Sequence, residues 1–268
     1  MTPKVALTIA GSDSGGGAGI QADLKTFAAL GVYGTCAVTA VTAQHTAGVL
    51  RVLSIDPDMV LAQVHAVLED LQPAAVKTGM LANPEIVKAV ADLAARGALP
   101  NLVVDPVLVS TSGHSLMDEG GIHAYRELLF PHALVVTPNL REGALLMGVD
   151  VRELRSVEAM IELAVELRKL GPRTVVLKGG HLEHGPSPDV VVGTEGTAVL
   201  EAGRVDTVND HGTGCSLSAA VAAQLALGAT PARAVERAKS YVHAALEGAA
   251  SWRLGSGHGP IDHFGWGP

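Results

Sequence analysis

The chain has 268 residues, of which 48% are hydrophobic and 17% are charged, so a large core can be buried. Aromatic residues make up only 3% of the chain, and a core of Ala, Val, Leu and Ile suits helices that pack on a parallel sheet. The net charge is −8 and no Lys/Arg cluster interrupts it, which argues against binding to nucleic acid or to an anionic membrane surface.

Short runs rich in β-branched residues alternate with longer amphipathic segments. Strands are predicted at residues 4–10, 32–41, 74–77, 101–105, 132–137 and 174–178, with a late antiparallel pair near 189–193 and 197–200. Helices are predicted at residues 20–30, 57–71, 84–95, 156–170, 214–227 and 231–248. Because this alternation builds βαβ crossovers, the predicted fold class is α/β, a mainly parallel sheet flanked by helices on both faces. Without an internal repeat or low-complexity linker, residues 1–268 are predicted to form one domain.

Two further features concern the cellular setting. The apolar run at the N terminus is too short for a signal peptide or a membrane span. Cys36 and Cys215 indicate neither a disulfide framework nor a paired metal site. We therefore expect a cytoplasmic protein. His181 and His184 are interpreted as loop residues rather than metal ligands, and residues 183–188 are a candidate mobile stretch.

Unusual residues follow several predicted strands at the point where each strand ends. In open sheets of this class, ligands bind beyond the carboxyl ends of the strands. The segments at these ends are residues 11–19, Gln44, residues 79–80, residues 105–106, residues 137–139 and residues 178–180. Their common position predicts a single site.

Two glycine-rich segments belong to this set. Residues 11–19, GSDSGGGAG, match neither the GxGxxG nor the GxxxxGK[ST] spacing, and they form either a flexible turn or a loop whose backbone approaches a ligand. Residues 210–215, DHGTGC, open a predicted helix. Free N–H groups at a helix start form an anion site, and the flanking glycines would let a phosphoryl group come close. The alternative is a simple N-cap by Thr213.

Seven motifs, in chain order, carry a family resemblance. They are GSDSGGGAGIQADLKTF (residues 11–27), KTGML (77–81), DPV (105–107), TPNxxE (137–142), LKGGH (177–181), HGTGC (211–215) and GHGPIDHF (257–264). Together they resemble the hydroxymethylpyrimidine/phosphomethylpyrimidine kinases of thiamine biosynthesis, within the ribokinase-like superfamily, nearly from end to end. The family commonly has Thr where this chain has Asp210.

The resemblance implies a ribokinase-like fold and two successive phosphoryl transfers from ATP, with Mg²⁺. The first transfer is to 4-amino-5-hydroxymethyl-2-methylpyrimidine, and the second converts its monophosphate to the diphosphate. A homodimer is implied as well.

The resemblance also assigns residues to the transfer step, which needs alignment, charge neutralisation and an activated hydroxyl. The backbone N–H groups of Gly212, Thr213, Gly214 and Cys215 would hold the migrating phosphoryl group. Cys215 would act as base, with a pKa lowered by the helix N-terminus, or would instead pack as a small apolar residue. Lys178 would reach the ATP phosphates, or would be a solvated strand-end lysine.

Two carboxylates are the candidate magnesium supports, Asp105 and Glu142, because Mg²⁺ prefers few carboxylates and takes its other ligands from phosphates and water. The alternatives are a turn cap for Asp105 and a solvated helix face for Glu142. Thr137 and Asn139 are expected to line the nucleotide phosphates.

The substrate pocket is assigned to Gln44 and Asp23, and by resemblance also to Ala18, Met80 and Val107. A Gln amide has one acceptor and two donors, so it can pair with the edge of an aminopyrimidine. For Met80 and Val107 the alternative is ordinary core packing. His211 is expected to orient the anion loop, the name given to residues 210–215.

Three other functions compete with this one. A pyridoxal or pyridoxine kinase of the same fold is the nearest, although GTGC and Gln44 favour the pyrimidine. A non-catalytic pyrimidine or nucleotide sensor would keep the pocket, but the set formed by Lys178, Asp105 and Glu142 argues against it. An NAD-dependent dehydrogenase would require a fingerprint spacing that residues 11–19 do not have.

Overall fold

The computed structural model describes residues 2–109, 117–180 and 187–267, and these contain a large central sheet and a small separate one. The strands are β1 (Val5–Ala10), β2 (Tyr33–Val38), β3 (Ala40–His45), β4 (Gly48–Ser54), β5 (Ala75–Thr78), β6 (Val103–Val104), β7 (Val135–Val136), β8 (Thr174–Lys178), β9 (Ser187–Gly193) and β10 (Gly196–Ala202). Eight of them form the large sheet in the order β10-β9-β8-β7-β6-β5-β1-β2. From β8 to β2 neighbouring strands are parallel, whereas β9 and β10 are antiparallel additions. β3 and β4 form the small antiparallel hairpin.

Helices cover both faces of the large sheet. They are α1 (Gly19–Ala29), α2 (Pro57–Asp70), α3 (Pro84–Ala95), α4 (Glu119–Ala124), α5 (Leu140–Met147), α6 (Val157–Arg168), α7 (Thr213–Ala226) and α8 (Pro231–Ala249). α1, α7 and α8 pack on one face, and α2 to α6 pack on the other. Side chains at Asp56, Asn83, Ser156 and Thr230 accept backbone hydrogen bonds in the first turns of α2, α3, α6 and α8, so these residues define where the helices begin.

Alternate strand residues enter the two opposite cores. Val103 packs against the α1–α7–α8 layer, whereas Val104 packs against the α2–α6 layer. The same alternation holds for Val135 and Val136 on β7. Because both faces are covered, these strands read as continuous apolar runs rather than as alternating ones.

The burial of α7 places the start of this helix at the carboxyl edge of the sheet. Every residue from Ser216 to the end of α7 is buried between the sheet, α1 and α8, and most of them are Ala, Ser or Val. Small side chains let the helix approach the strands closely. The direction of α7 is therefore set by core packing.

The predicted fold class is confirmed, as is the late antiparallel pair. The prediction of one strand over residues 32–41 is wrong, because the chain leaves the large sheet at Thr39 and continues as β3 of the hairpin. Thr39 donates its N–H to the Ala10 carbonyl and its hydroxyl to the Met80 carbonyl, so it closes the end of β2. β4, α4 and α5 were not predicted.

No helix in the described part of the chain is both long and apolar enough to cross a membrane. His181, His184 and residues 183–186 of the predicted mobile stretch lie outside the described residues.

Candidate active site

The loop after β1 is organised around the buried carboxylate of Asp13. Asp13 accepts hydrogen bonds from the N–H groups of Gly15, Gly17 and Ala18, at 2.8, 3.0 and 2.9 Å, and from His211 Nε2 at 2.9 Å. Burial by itself would raise the pKa of Asp13, but the bonds from His211 and the loop backbone hold it below its usual value. The loop is therefore a defined cradle rather than a flexible turn.

At the start of α7 the backbone of the helix packs directly against the backbone of this cradle. Gly212 precedes the helix with φ at +84°, a conformation that favours glycine. A side chain at Gly212 would overlap the carbonyl of Gly17, and one at Gly17 would crowd the ring of His211. Thr213 does not cap the helix; its hydroxyl donates to the Asp210 carbonyl. The N–H of Thr213 also donates to the Asp210 carbonyl, at 3.2 Å. The N–H groups of Gly214 and Cys215 have no partner within the helix, so they are the ones that remain available at the edge of the sheet.

Lys178 ends β8 and turns its ammonium group toward the first turn of α7. Its Nζ lies 3.1 Å from Asp105 Oδ1, and a Cβ on Gly214 would lie 3.1 Å from the same Nζ. Burial by itself would lower the pKa of Lys178, but the charges of Asp105 and Glu142 raise it, so the ammonium stays charged. The side chain is only 14% exposed, so Lys178 is not a solvated strand-end lysine.

Asp105 follows β6 and is the centre of a buried network. Its carboxylate accepts from Thr137 Oγ1 at 3.1 Å, from Lys178 Nζ at 3.1 Å and from Ser218 Oγ at 3.2 Å. Thr137 is completely buried and its hydroxyl is used in this contact. The expected contact between the Thr137 side chain and nucleotide phosphates therefore does not fit this arrangement, in which Thr137 supports Asp105.

Asn139 and Glu142 form the capping box at the start of α5. Asn139 N–H donates to Glu142 Oε2 at 2.8 Å, and Glu142 N–H donates to Asn139 Oδ1 at 2.9 Å. Glu142 is buried, so the solvated helix face is wrong. Burial raises the pKa of Glu142 to about 7, with the Asp105 charge adding to this effect against the opposing charge of Lys178.

The carboxylates of Asp105 and Glu142 are the candidate groups for magnesium binding. Within the described ranges, no three His, Cys, Asp or Glu side chains converge as a metal site. A cation would nevertheless offset the burial and the Asp105 charge that raise the pKa of Glu142. Asp105 and Glu142 therefore fit a Mg²⁺ that takes most of its ligands from phosphates and water.

Cys215 lies in the first turn of α7 and keeps part of its surface accessible. The expected lowering of its pKa is wrong. Burial raises the pKa of the thiol to about 11, and the carboxylates of Asp23 and Asp105 add to the shift, against the opposing charge of Lys77. Desolvation and two nearby anions outweigh the helix N-terminus, so the thiol is protonated at neutral pH.

Asp23 forms a fully buried ion pair with Lys77 of β5. Lys77 Nζ donates to the two carboxylate oxygens at 2.9 and 2.8 Å, and Thr8 Oγ1 donates to the same carboxylate at 2.6 Å. Burial by itself favours the neutral amine, but Asp23 raises the pKa of Lys77 to about 12, so the pair is ionic. Because the Asp23 side chain has no exposed surface, the direct substrate contact that was expected for it does not fit this structure.

Gln44 reaches the site from the hairpin. Along β3, Ala40 and Thr42 are buried and Gln44 is half-buried, while the alternate residues Val41 and Ala43 face outward. Gln44 Nε2 lies 3.3 Å from His211 Nε2, so the hairpin, the cradle and the anion loop meet at this point.

Three smaller side chains line the same edge. Ala18, Met80 and Val107 each keep partial exposure, so none of them is an ordinary core residue. The Met80 carbonyl accepts from Gly11 N–H at 3.2 Å, and a side chain at Gly11 would overlap the Met80 methyl group. The structure thus brings the predicted residues together, except that Asp23 and Thr137 lie beneath the surface.

Sequence reasoning missed three residues of this network: Asp13, Lys77 and Ser218. Lys77 carried a usable signal, because a lysine within an apolar strand needs a buried counter-ion. Asp13 is one carboxylate in a loop, and Ser218 is one hydroxyl on a small-residue helix, and neither pattern identifies its partner.

The fold and the site define a ribokinase-like kinase of small molecules, with an anion-binding helix start beside a lysine and a buried aspartate. The family model described as phosphomethylpyrimidine kinase matches residues 13–262. The chain therefore belongs to the phosphomethylpyrimidine kinase family.

Individual relatives agree with this placement. The hydroxymethylpyrimidine/phosphomethylpyrimidine kinase of Rhizobium meliloti (strain 1021) is 49% identical over 261 residues, which cover 97% of each chain. An ADP complex of the pyridoxal kinase of Bacillus subtilis superimposes with a TM-score of 0.88 at 41% identity, over 98% of each chain. The phosphomethylpyrimidine kinase of Clostridium difficile 630 does so with a TM-score of 0.78 at 39% identity, over 89% of this chain and 97% of the other.

Proposed function

We propose that this protein is an ATP-dependent kinase of thiamine biosynthesis. It phosphorylates the hydroxymethyl group of 4-amino-5-hydroxymethyl-2-methylpyrimidine and then converts the monophosphate to the diphosphate. The observation that carries the proposal is the convergence of an open helix start, a buried cation and an amide side chain at one edge of the sheet. These groups belong to family motifs that span the chain.

The phosphate side of the site comprises residues 212–215, Lys178 and Asp105. The backbone N–H groups of Gly214 and Cys215 at the start of α7 would bind the migrating phosphoryl group, and the helix dipole would favour its negative charge there. Lys178 adds a charge that Asp105 holds beside Gly214. Donors of this kind are worth about 3–4 kcal/mol each in the transition state when they are preorganised.

Asp105 and Glu142 are proposed to support Mg²⁺. When bound, the ion would neutralise phosphate charge during the transfer. Asn139 is proposed to contact the nucleotide phosphates, because it is half-buried and its Nδ2 donates to no other described residue. Thr137 contributes by holding Asp105 in place.

Cys215 is proposed as the group that receives the proton of the substrate hydroxyl. Because the pKa of Cys215 is about 11, nearly all of the thiol is protonated at neutral pH. Removal of the hydroxyl proton therefore depends on the small fraction of Cys215 that is thiolate. Lys77 is the cation that favours this thiolate, and Asp23 holds Lys77 below the site. Asp23 therefore influences the reaction through Lys77, from a position beneath the pocket.

The substrate side comprises Gln44, Ala18, Met80 and Val107. The amide of Gln44 is the polar group for the ring edge, and the other three offer an apolar surface to the ring. Hydrogen bonding to a heterocycle edge is a strong source of selectivity, because a poorly matched ring leaves buried polar groups unpaired.

The experiment is a substrate panel with purified protein, ATP and Mg²⁺. We expect the hydroxymethylpyrimidine to be converted to the monophosphate and then to the diphosphate, as identified by mass spectrometry. Release of ADP without any phosphorylated pyrimidine would refute the proposal. Pyridoxal belongs in the panel, because the B. subtilis pyridoxal kinase is 41% identical to this chain. A higher kcat/KM for pyridoxal would favour that second function.

A homodimer in the cytoplasm is also proposed. Five aliphatic side chains of the β3–β4 hairpin are exposed, namely Val41, Val49, Leu50, Val52 and Leu53. Exposed aliphatic side chains on both faces of the hairpin support its burial against a second copy of the chain. Light scattering on the purified protein measures the oligomeric state, and fractionation of cells measures the location.

A further inference from the structure

The polar contacts around Gln44 determine which end of its side-chain amide faces which neighbour. The backbone of Gln44 is fixed first. Its N–H donates to Ser14 Oγ at 2.8 Å, and Ser14 Oγ donates to the Gln44 carbonyl at 2.7 Å. The side-chain amide then lies between two groups, His211 Nε2 at 3.3 Å from its nitrogen and Thr42 Oγ1 at 3.4 Å from its oxygen.

The contact with Asp13 determines which ring nitrogen of His211 carries a hydrogen. An ionised carboxylate can only accept hydrogen bonds, and Asp13 Oδ2 lies 2.9 Å from His211 Nε2. The Nε2 atom of His211 must therefore carry a hydrogen. With the Gln44 nitrogen toward His211, two N–H groups would face each other.

Thr42 creates the matching conflict at the other end of the amide. A hydroxyl has a single hydrogen, and Thr42 Oγ1 donates it to the Ser12 carbonyl at 2.7 Å. Toward Gln44, Thr42 Oγ1 can therefore only accept. With the Gln44 oxygen beside it, two acceptors would face each other.

A rotation of the Gln44 amide by 180° resolves both conflicts at once and moves almost no heavy atom. His211 Nε2–H, shared with Asp13, then donates to the Gln44 oxygen, and the Gln44 nitrogen donates to Thr42 Oγ1. We propose that Asp13 and His211 are positioning residues that hold the Gln44 amide with its oxygen toward His211 and its nitrogen toward Thr42.

This relay has a consequence for the substrate, which rests on the proposed function. Thr42 takes one of the two hydrogens on the Gln44 nitrogen, so one N–H remains for a ligand. The locked amide selects a heteroaromatic ring that presents an acceptor nitrogen to Gln44. His211 thereby couples substrate recognition to the anion loop that it begins.

The test combines two substitutions in a double-mutant cycle. His211→Phe keeps a flat ring but removes the donor, and Gln44→Ala removes the amide. We expect His211→Phe to raise the dissociation constant for the pyrimidine about tenfold, and the KM for ATP to change by less than about twofold. In the Gln44→Ala background, His211→Phe should have no further effect on pyrimidine binding. The variant His211→Gln retains an N–H donor and should recover most of the lost affinity.

Two results would overturn the relay. One is a pair of independent effects that multiply in the double variant, and the other is an equal loss of ATP affinity in His211→Phe, which would mean that His211 only shapes the anion loop. Neutron diffraction on the wild-type protein tests the relay without any substrate, because it shows whether deuterium on the Gln44 amide faces Thr42 or His211. Failure of the wild-type protein to bind or phosphorylate the pyrimidine would instead refute the proposed function, and the neutron result would still decide the relay.

Discussion

The phosphate side and the substrate side of the site are supported in different ways. The phosphate side stands on α7, which is buried from Ser216 to its end, and on Asp105 and Lys178 at the ends of central strands. The substrate side depends on Gln44 at the end of a two-stranded hairpin whose outer face is exposed. Transfer chemistry is thus placed on the buried core, while recognition of the acceptor is placed on a hairpin that is joined to the neighbouring loops by hydrogen bonds, among them those between Gln44 and Ser14.

The largest effect that separates the two sides is expected for Cys215→Ala. Loss of a general base typically costs about 10²–10⁴-fold in rate, so turnover should fall by roughly this factor while the affinity for ATP stays near normal. Steady-state and ATP-binding measurements would check this. Cys215→Asp, which restores an ionisable group, is the matched control. Unchanged turnover in Cys215→Ala would remove Cys215 from the mechanism.

The wild-type pH profile sharpens the same prediction. Because burial raises the pKa of Cys215 to about 11, the thiolate fraction increases tenfold with each pH unit below that value. The kcat/KM should therefore rise steadily from pH 6 to about pH 9 in the wild type and lose this slope in Cys215→Asp. A plateau near pH 7 in the wild type would contradict the thiolate argument.

The next largest effect is expected for the buried Lys77–Asp23 ion pair beneath the phosphate side, and it concerns the stability of the fold. Lys77→Met leaves Asp23 buried without its cation and should lower the free energy of unfolding by about 3–5 kcal/mol. Urea denaturation measures this loss. The double variant Lys77→Met/Asp23→Leu removes both charges and should regain much of the lost stability. A loss below about 1 kcal/mol for the single variant would mean that water reaches the pair.

A smaller effect is expected on the substrate side. Gln44→Leu removes a hydrogen bond to the ring worth about 0.5–1.5 kcal/mol, so the KM for the pyrimidine should rise roughly 2- to 13-fold. The KM for ATP should change much less. If the KM for ATP rises instead, Gln44 belongs to the phosphate side and its assignment to the substrate side is wrong.

The smallest effect on folding is expected at the exposed face of the hairpin. Leu50 is 73% exposed, so Leu50→Lys should change the free energy of unfolding by less than about 0.5 kcal/mol. The same substitution should shift the proposed dimer toward monomer in light-scattering measurements. Lys88→Glu, on the surface of α3, is a charge-changing control that should leave the oligomeric state unchanged. A Leu50→Lys dimer of wild-type affinity would exclude this face as the interface.

Local patterns in the sequence were enough to predict most of the fold. The elements Thr174–Lys178 and Pro84–Ala95 were predicted with their observed bounds, because the first is a continuous apolar run that ends at a lysine and the second is an amphipathic run that begins at a proline. The strand over residues 32–41 failed, since β2 and β3 form one unbroken β-prone run. Only a backbone that leaves the sheet at Thr39 distinguishes the two strands.

The same division applies to the site. By itself the sequence determined the parallel α/β architecture, the two glycine-rich loops and the placement of the site groups at strand ends, because periodicity and glycine are read locally. The tertiary structure decided that Asp23 pairs with Lys77, that Thr137 serves Asp105, that the Cys215 thiol is protonated and that Asp13 holds His211. Burial and charge pairing between distant segments control these outcomes, and both depend on which segments the fold brings together.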